Sequence, residues 1–311
     1  MTVMGILTTT PAANATTEPS LQVSAATVRA SLHCYGNAAT SALEPVLFLH
    51  GTTSDSQADF SWNWNRAFQQ HHWAYCDLDT PNHADGDIQV AAQYVVVAIR
   101  LMHQAGGGRR IGIVGHSQGG MIGRWALKYW PDTRAMVADY VGLASSNHGT
   151  ADFNVLCGLP VGCPAAFWQQ RQGSRFLAAL NTGPQTWPGI SYTEIADPLD
   201  EIVVPYTSPF LPAASNVTNL TINQICPTAL AEHFSMSAIN AAWLAGLDAL
   251  VHAGPAVLPR ISKSTCANPL MPGVDLVGLP TNALTAGLTS ALSAATGPYI
   301  SSEPPLAAYA R

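Results

Sequence analysis

Gly115-His116-Ser117-Gln118-Gly119 constrains this chain more than any other stretch. It is preceded by a short apolar run, Ile111-Gly-Ile-Val114, which reads as a buried strand. It is followed by a segment from Ser117 to Trp130 with Met121, Ile122, Trp125 and Tyr129 on one helical side, ended by Pro131. A strand that turns into a helix within so few residues must turn sharply. The glycines let the two backbones pass closely, and the serine between them is pushed out at the carboxyl end of the strand. The free N–H groups of the following helix then favour negative charge at that place.

The rest of the chain supplies a sheet for this turn. Val46-Leu-Phe-Leu-His50, closed by Gly51, reads as another buried strand with a loop at its carboxyl end. Asp87 is the expected N-cap of a helix from Ile88 to about Gln104, stopped by Gly106-Gly-Gly108. Met136 to Ala144 and Ile190 to Ala196 are further strands. This alternation implies one mostly parallel sheet covered by helices on both faces. Residues 1–20, rich in Thr, Ala, Ser and Pro, read as a flexible leader, and 21–311 as one domain. Two stretches depart from the alternation. Residues 150–175 hold a tight apolar loop, Cys157-Gly-Leu-Pro-Val-Gly-Cys163. Residues 278–296 form a helix with Leu284, Leu288 and Leu292 on one stripe, either packed on the core or serving as a flap over a pocket.

A serine hydroxyl needs a base, and the base an orienting acid. On a strand–turn–helix of this kind the chain order is Ser, then Asp or Glu, then His. That order leaves His148, His233 and His252, since His116 adjoins the serine. His148 follows too soon for an acid to intervene, so His233 is the expected base. The acid should stand just beyond the strand Ile190–Ala196. Asp200 is expected there, with Asp197 the alternative and Glu201 a lesser one. Acyl transfer also needs N–H donors for the developing oxyanion. Gln118 provides one, and Thr52 in His50-Gly51-Thr52-Thr53 the other, with its hydroxyl in reserve. Asp77, Asp79, Asp85 and Asp87 lack the spacing of an EF-hand loop and read as turn and cap residues. No metal or cofactor is expected.

Only 10% of residues are charged, and the net charge is −6, which argues against a nucleic-acid partner. No apolar run reaches the roughly 20 residues of a membrane span. The six cysteines (Cys34, Cys76, Cys157, Cys163, Cys226 and Cys266) are an even set without zinc-ribbon spacing, as expected of three disulfides in an oxidising compartment. Asn14, Asn216 and Asn219 head glycosylation sequons. The expected protein is secreted and monomeric.

With these residues placed, the chain resembles the Candida antarctica lipase B family of α/β-hydrolases from about Leu21 to Asp275. The resemblance is carried by Gly51-Thr52 with Trp64, by Ser117-Gln118-Gly119-Gly120, and by Phe167-Trp168-Gln169-Gln170. Asp200-Glu201-Ile202-Val203 with Pro205, and Cys226 shortly before His233, add to it. It implies an α/β-hydrolase fold with lid or cap segments, a triad of Ser117, Asp200 and His233, and an oxyanion hole from Thr52 and Gln118. It also implies disulfides Cys34–Cys76 and Cys226–Cys266, which leave Cys157 with Cys163, a pairing foreign to the fungal enzyme. A third disulfide of that enzyme, near its C-terminus, is missing here. His116 stands where the family carries Trp, and Ser145-Ser-Asn-His-Gly149 resembles bacterial lipases, so the chain reads as a bacterial-type relative.

The expected activity is hydrolysis of carboxylic esters, triacylglycerols foremost, through an acyl-enzyme, with lipid or ester substrates met at an oil–water interface. An esterase, a polyester depolymerase or an acyltransferase could use the same site. A binding protein on this fold would usually lack a triad member. The expected pocket residues are His116, Gln170, Ile202, Leu159 and Val161, with the Leu284 helix and Phe167 at the entrance.

Overall fold

A computed structural model describes residues 18–311. Most of the leader, with Asn14, lies outside the described residues. The strands are β1 (Leu32–Tyr35), β2 (Val46–Leu49), β3 (Tyr75–Leu78), β4 (Ile111–His116), β5 (Val137–Leu143), β6 (Cys163–Pro164), β7 (Ser191–Ala196), β8 (Val217–Thr221) and β9 (Tyr299–Ile300). Seven of them form one sheet in the order β1-β3-β2-β4-β5-β7-β8, and β6 pairs with β9 apart from it. Only β1 runs antiparallel to its neighbour in the large sheet.

Alternation along β2 divides the core between the two faces of the sheet. Leu47 and Leu49 pack with helices Ile88–Ala105 and Gln118–Tyr129, through Val95, Met121 and Trp125. Val46 and Phe48 face the other way, into Phe60, Trp64, Phe68 and Trp243. Both faces of a parallel strand are thus buried, which is why these strands read as continuous apolar runs. The Asp87 side chain accepts from Gln89 N–H at the start of its helix, as a cap does.

Cys34 and Cys76 face each other across β1 and β3 and are bonded; Cys157–Cys163 and Cys226–Cys266 are the other two disulfides. The last joins the segment just before His233 to the loop after helix Asn240–Val251. Asn216 and Asn219 spend their amide nitrogens on backbone carbonyls of Trp187, Ile190 and Leu211.

Helix Leu279–Thr296 forms, but Leu288 and Leu292 do not pack on the core. Leu288 and Leu292 are 61% and 64% exposed, while Ser293 is buried and donates its hydroxyl to Asp85. Leu284 lies outside the described side chains.

Candidate active site

Ser117 directly follows β4 and caps helix Gln118–Tyr129 with φ 55° and ψ −121°, a conformation that β-carbon crowding disfavours. The surrounding structure imposes it. A β-carbon on Gly119 would lie 1.9 Å from the Leu49 carbonyl oxygen, and one on Gly115 2.2 Å from that of Gly119. Only glycine lets helix and strands approach this closely. Ser117 N–H donates to Leu143 O at 2.9 Å, tying the elbow to β5.

Asp200 lies in the loop after β7. It accepts Ile202 N–H at 2.9 Å and Val203 N–H at 2.7 Å on one oxygen. His233 Nδ1 stands 2.9 Å from Asp200 Oδ2 and 3.0 Å from Oδ1, with both side chains buried. A carboxylate at Nδ1 assigns the proton to that nitrogen and leaves Nε2 as a base. Burial would raise the Asp200 carboxyl, but the His233 hydrogen bond and charge, with the two N–H groups, hold it below the usual range. Asp197 is buried nearby and accepts Leu199 N–H instead. Glu201 accepts the backbone N–H of His233, and so steadies the same loop. His148 binds the Ser208 carbonyl and His252 rests against Asp248, both away from the serine.

Thr52 and Gln118 flank the serine, and neither backbone N–H has a hydrogen-bond partner among the described residues. Gln118 and Gln170 each direct a side-chain N–H at Thr52 Oγ1, at 2.9 and 2.8 Å. A cavity of about 250 Å³ joins these groups; Ser117, His233 and Thr52 line it with Phe153, Phe167 and Ile202. Leu156, Ser290 and Ala294 also line it, so helix Leu279–Thr296 overhangs the serine with its small residues. A larger groove, about 830 Å³, beside the Cys34–Cys76 disulfide holds none of the triad candidates.

Two expectations about the pocket are corrected. Leu159 and Val161 are 52% and 64% exposed and outside the cavity lining. The ladder between β6 and β9 presses Gly162 against Ile300, where a β-carbon would meet the carbonyl oxygen at 2.2 Å. The disulfide closes the loop there, and its tip is left facing solvent. Gln170 is buried behind Thr52 and also accepts the Ser146 hydroxyl, so it supports the loop instead of lining the pocket. Asp59, which touches His116 and lines the same cavity, went unnoticed in the sequence. Its only local signal was a carboxylate eight residues beyond Gly51.

Residues 44–150 match the family model described as the α/β hydrolase fold. The sheet order and the elbow agree with that match. This chain has the α/β-hydrolase fold. It is 28% identical to lipase B of Pseudozyma antarctica over 94% of this chain and 87% of that one. The lipase B structure from Aspergillus fumigatus superposes with a TM-score of 0.84, at 24% identity, covering 98% of this chain and 77% of that one. A Bacillus licheniformis lipase in its mature form matches at a TM-score of 0.52 and 17% identity, over 70% of this chain and 95% of that one.

Proposed function

We propose that this carboxylic ester hydrolase is a secreted lipase that works through Ser117, His233 and Asp200. The observation that carries the reading is the bonding of His233 Nδ1 to Asp200 beside a strained Ser117 in one cavity. Ser117 Oγ attacks the ester carbonyl as His233 Nε2 takes its proton, and Asp200 stabilises the imidazolium. The N–H groups of Thr52 and Gln118 hold the oxyanion. The imidazolium returns the proton to the leaving alcohol. Water, activated by the same nitrogen, then releases the acid. Ser117 and His233 line the same cavity, and the mechanism requires Ser117 Oγ to come within hydrogen-bond reach of His233 Nε2 in the substrate complex.

The aromatic and branched walls of the cavity suit an apolar acyl chain. Val155, Leu156, Leu159 and Val161 on one flank, with Leu288 and Leu292 on the overhanging helix, expose apolar side chains that suit a lipid surface. The disulfides support secretion, because such bonds persist in oxidising compartments. No helix among the described residues is long and apolar enough to cross a membrane.

Hydrolysis of p-nitrophenyl esters from acetyl to palmitoyl, with wild type beside Ser117→Ala, tests the reading. Activity on the longer chains that vanishes in the variant, together with loss of fluorophosphonate labelling, is the expected result. A variant that hydrolyses at the wild-type rate would sink the mechanism.

A further inference from the structure

His116, beside the nucleophile, is wholly buried with both ring nitrogens engaged. Nδ1 lies 3.1 Å from Asp59 Oδ2, and Nε2 lies 2.9 Å from the backbone carbonyl oxygen of His233. A carbonyl oxygen can only accept, so Nε2 carries a proton. Asp59 is equally constrained. Its Oδ2 also accepts Gly51 N–H at 2.7 Å, and its Oδ1 accepts the Ser54 hydroxyl at 2.9 Å. With donors on both oxygens the environment of Asp59 is that of an ionised carboxylate, to which Nδ1 donates as well.

We infer that His116 is a buried imidazolium paired with Asp59, and that this pair is a positioning element for catalysis. One ion pair reaches three segments. Asp59 holds the oxyanion loop at Gly51 and Ser54, His116 belongs to the nucleophile elbow, and its far nitrogen holds the backbone of the catalytic histidine. The His116 and His233 rings lie 4.9 Å apart. A neutral ring could donate to one side only, and would hold the other only if Asp59 took up a proton in its buried site.

The electrostatics agree with the geometry. Burial alone would favour a neutral ring, but Asp59, the His233 carbonyl and Asp200 hold His116 above the usual histidine range. Burial would likewise protonate Asp59, yet His116, His50 and the Gly51 N–H hold it below the carboxylate range. Each charge is tolerated because the other is present, and removal of either partner leaves an uncompensated buried charge. The cost of losing register is kinetic, since a displacement of about 1 Å in a catalytic group costs roughly 10²-fold in rate.

The kinetic consequence rests on the Ser117–His233–Asp200 reading; the protonation state does not. Nitrogen NMR of ¹⁵N-histidine-labelled full chain is the direct test. One ring should keep protons on both nitrogens at about pH 8, where ordinary histidines are neutral. That signal should be lost in His116→Gln, and in Asp59→Asn it should become that of a singly protonated ring. A wild-type chain with no doubly protonated ring at that pH overturns the assignment. Asp59→Asn should lower kcat roughly ten- to a hundred-fold with little change in KM. An unchanged kcat, despite the altered ring, overturns the positioning role. A wild-type protein that shows the doubly protonated ring but neither hydrolyses esters nor takes a fluorophosphonate would indict the functional reading and leave the ion pair standing.

Discussion

Gln170 donates a side-chain N–H to Thr52 Oγ1 at 2.8 Å, across 118 residues of sequence. Gln118 donates to the same oxygen at 2.9 Å. Two donors fill the acceptor positions of a hydroxyl, so its own hydrogen is free to point at an oxyanion. Thr52→Val should therefore lower kcat by about 10²-fold, as loss of one such donor does, while Thr52→Ser stays close to wild type. Steady-state kinetics on a p-nitrophenyl ester decide it; a valine variant with full kcat would remove the hydroxyl from the mechanism.

Asp200 orients His233 through Nδ1. Asp200→Asn can present an N–H to that nitrogen and so favours the wrong tautomer, with kcat expected to fall on the order of 10⁴-fold. Because its folded carboxyl is held below the ordinary range, Asp200 contributes stability above the unfolded value of 3.8 that is lost as pH falls through the folded one. Melting temperature plotted against pH should therefore drop less steeply at the acid end for Asp200→Asn than for wild type. Parallel curves would contradict the assignment.

Glu44, just before β2, and Asp139, near the amino end of β5, are electrostatic neighbours, with Arg109 and Arg110 near them. Burial first, and then the Asp139 charge, push the Glu44 carboxyl well above the usual range. Above pH 4.5 the native state then holds a proton that the unfolded chain has released, so this contribution to stability fades as pH rises. Glu44→Gln keeps the site neutral and should melt about 2–4 °C higher than wild type near neutral pH and above. At acidic pH the difference should close. A constant offset across pH would point to packing.

The Cys157–Cys163 bridge ties the end of helix Asp152–Cys157 to β6, and the flanking helices bring Phe153 against Phe167, stacked at 4.3 Å on the wall of the cavity. The bridge should restrain this flank, so the wild-type rate should rise only slightly as substrate passes its solubility limit. Cys157→Ser with Cys163→Ser should sharpen that rise and lower thermal stability by about 2–3 kcal/mol, the scale of a short disulfide loop. A wild-type rate that jumps steeply at the solubility limit would show that the bridge imposes no restraint.

The alternation of strands and helices, the elbow at Ser117 and the Asp87 cap were legible in sequence because each is a local matter. Backbone crowding at Gly115 and Gly119, apolar periodicity and a capping carboxylate act within a few residues. The candidates for base and acid were legible through chain order, but that order left Asp197 beside Asp200. Sequence favoured Asp200, and the folded loop turns Asp200 onto His233 and Asp197 onto Leu199. The outward face of Leu159 and Val161 followed from the pairing of β6 with β9, two segments more than a hundred residues apart. Gln170 left the pocket because Thr52 and Ser146 claim its amide. The charge on His116 was the least legible feature. A histidine beside a serine looks the same in sequence whether neutral or charged, and only folding sets Asp59 at one nitrogen and the His233 carbonyl at the other.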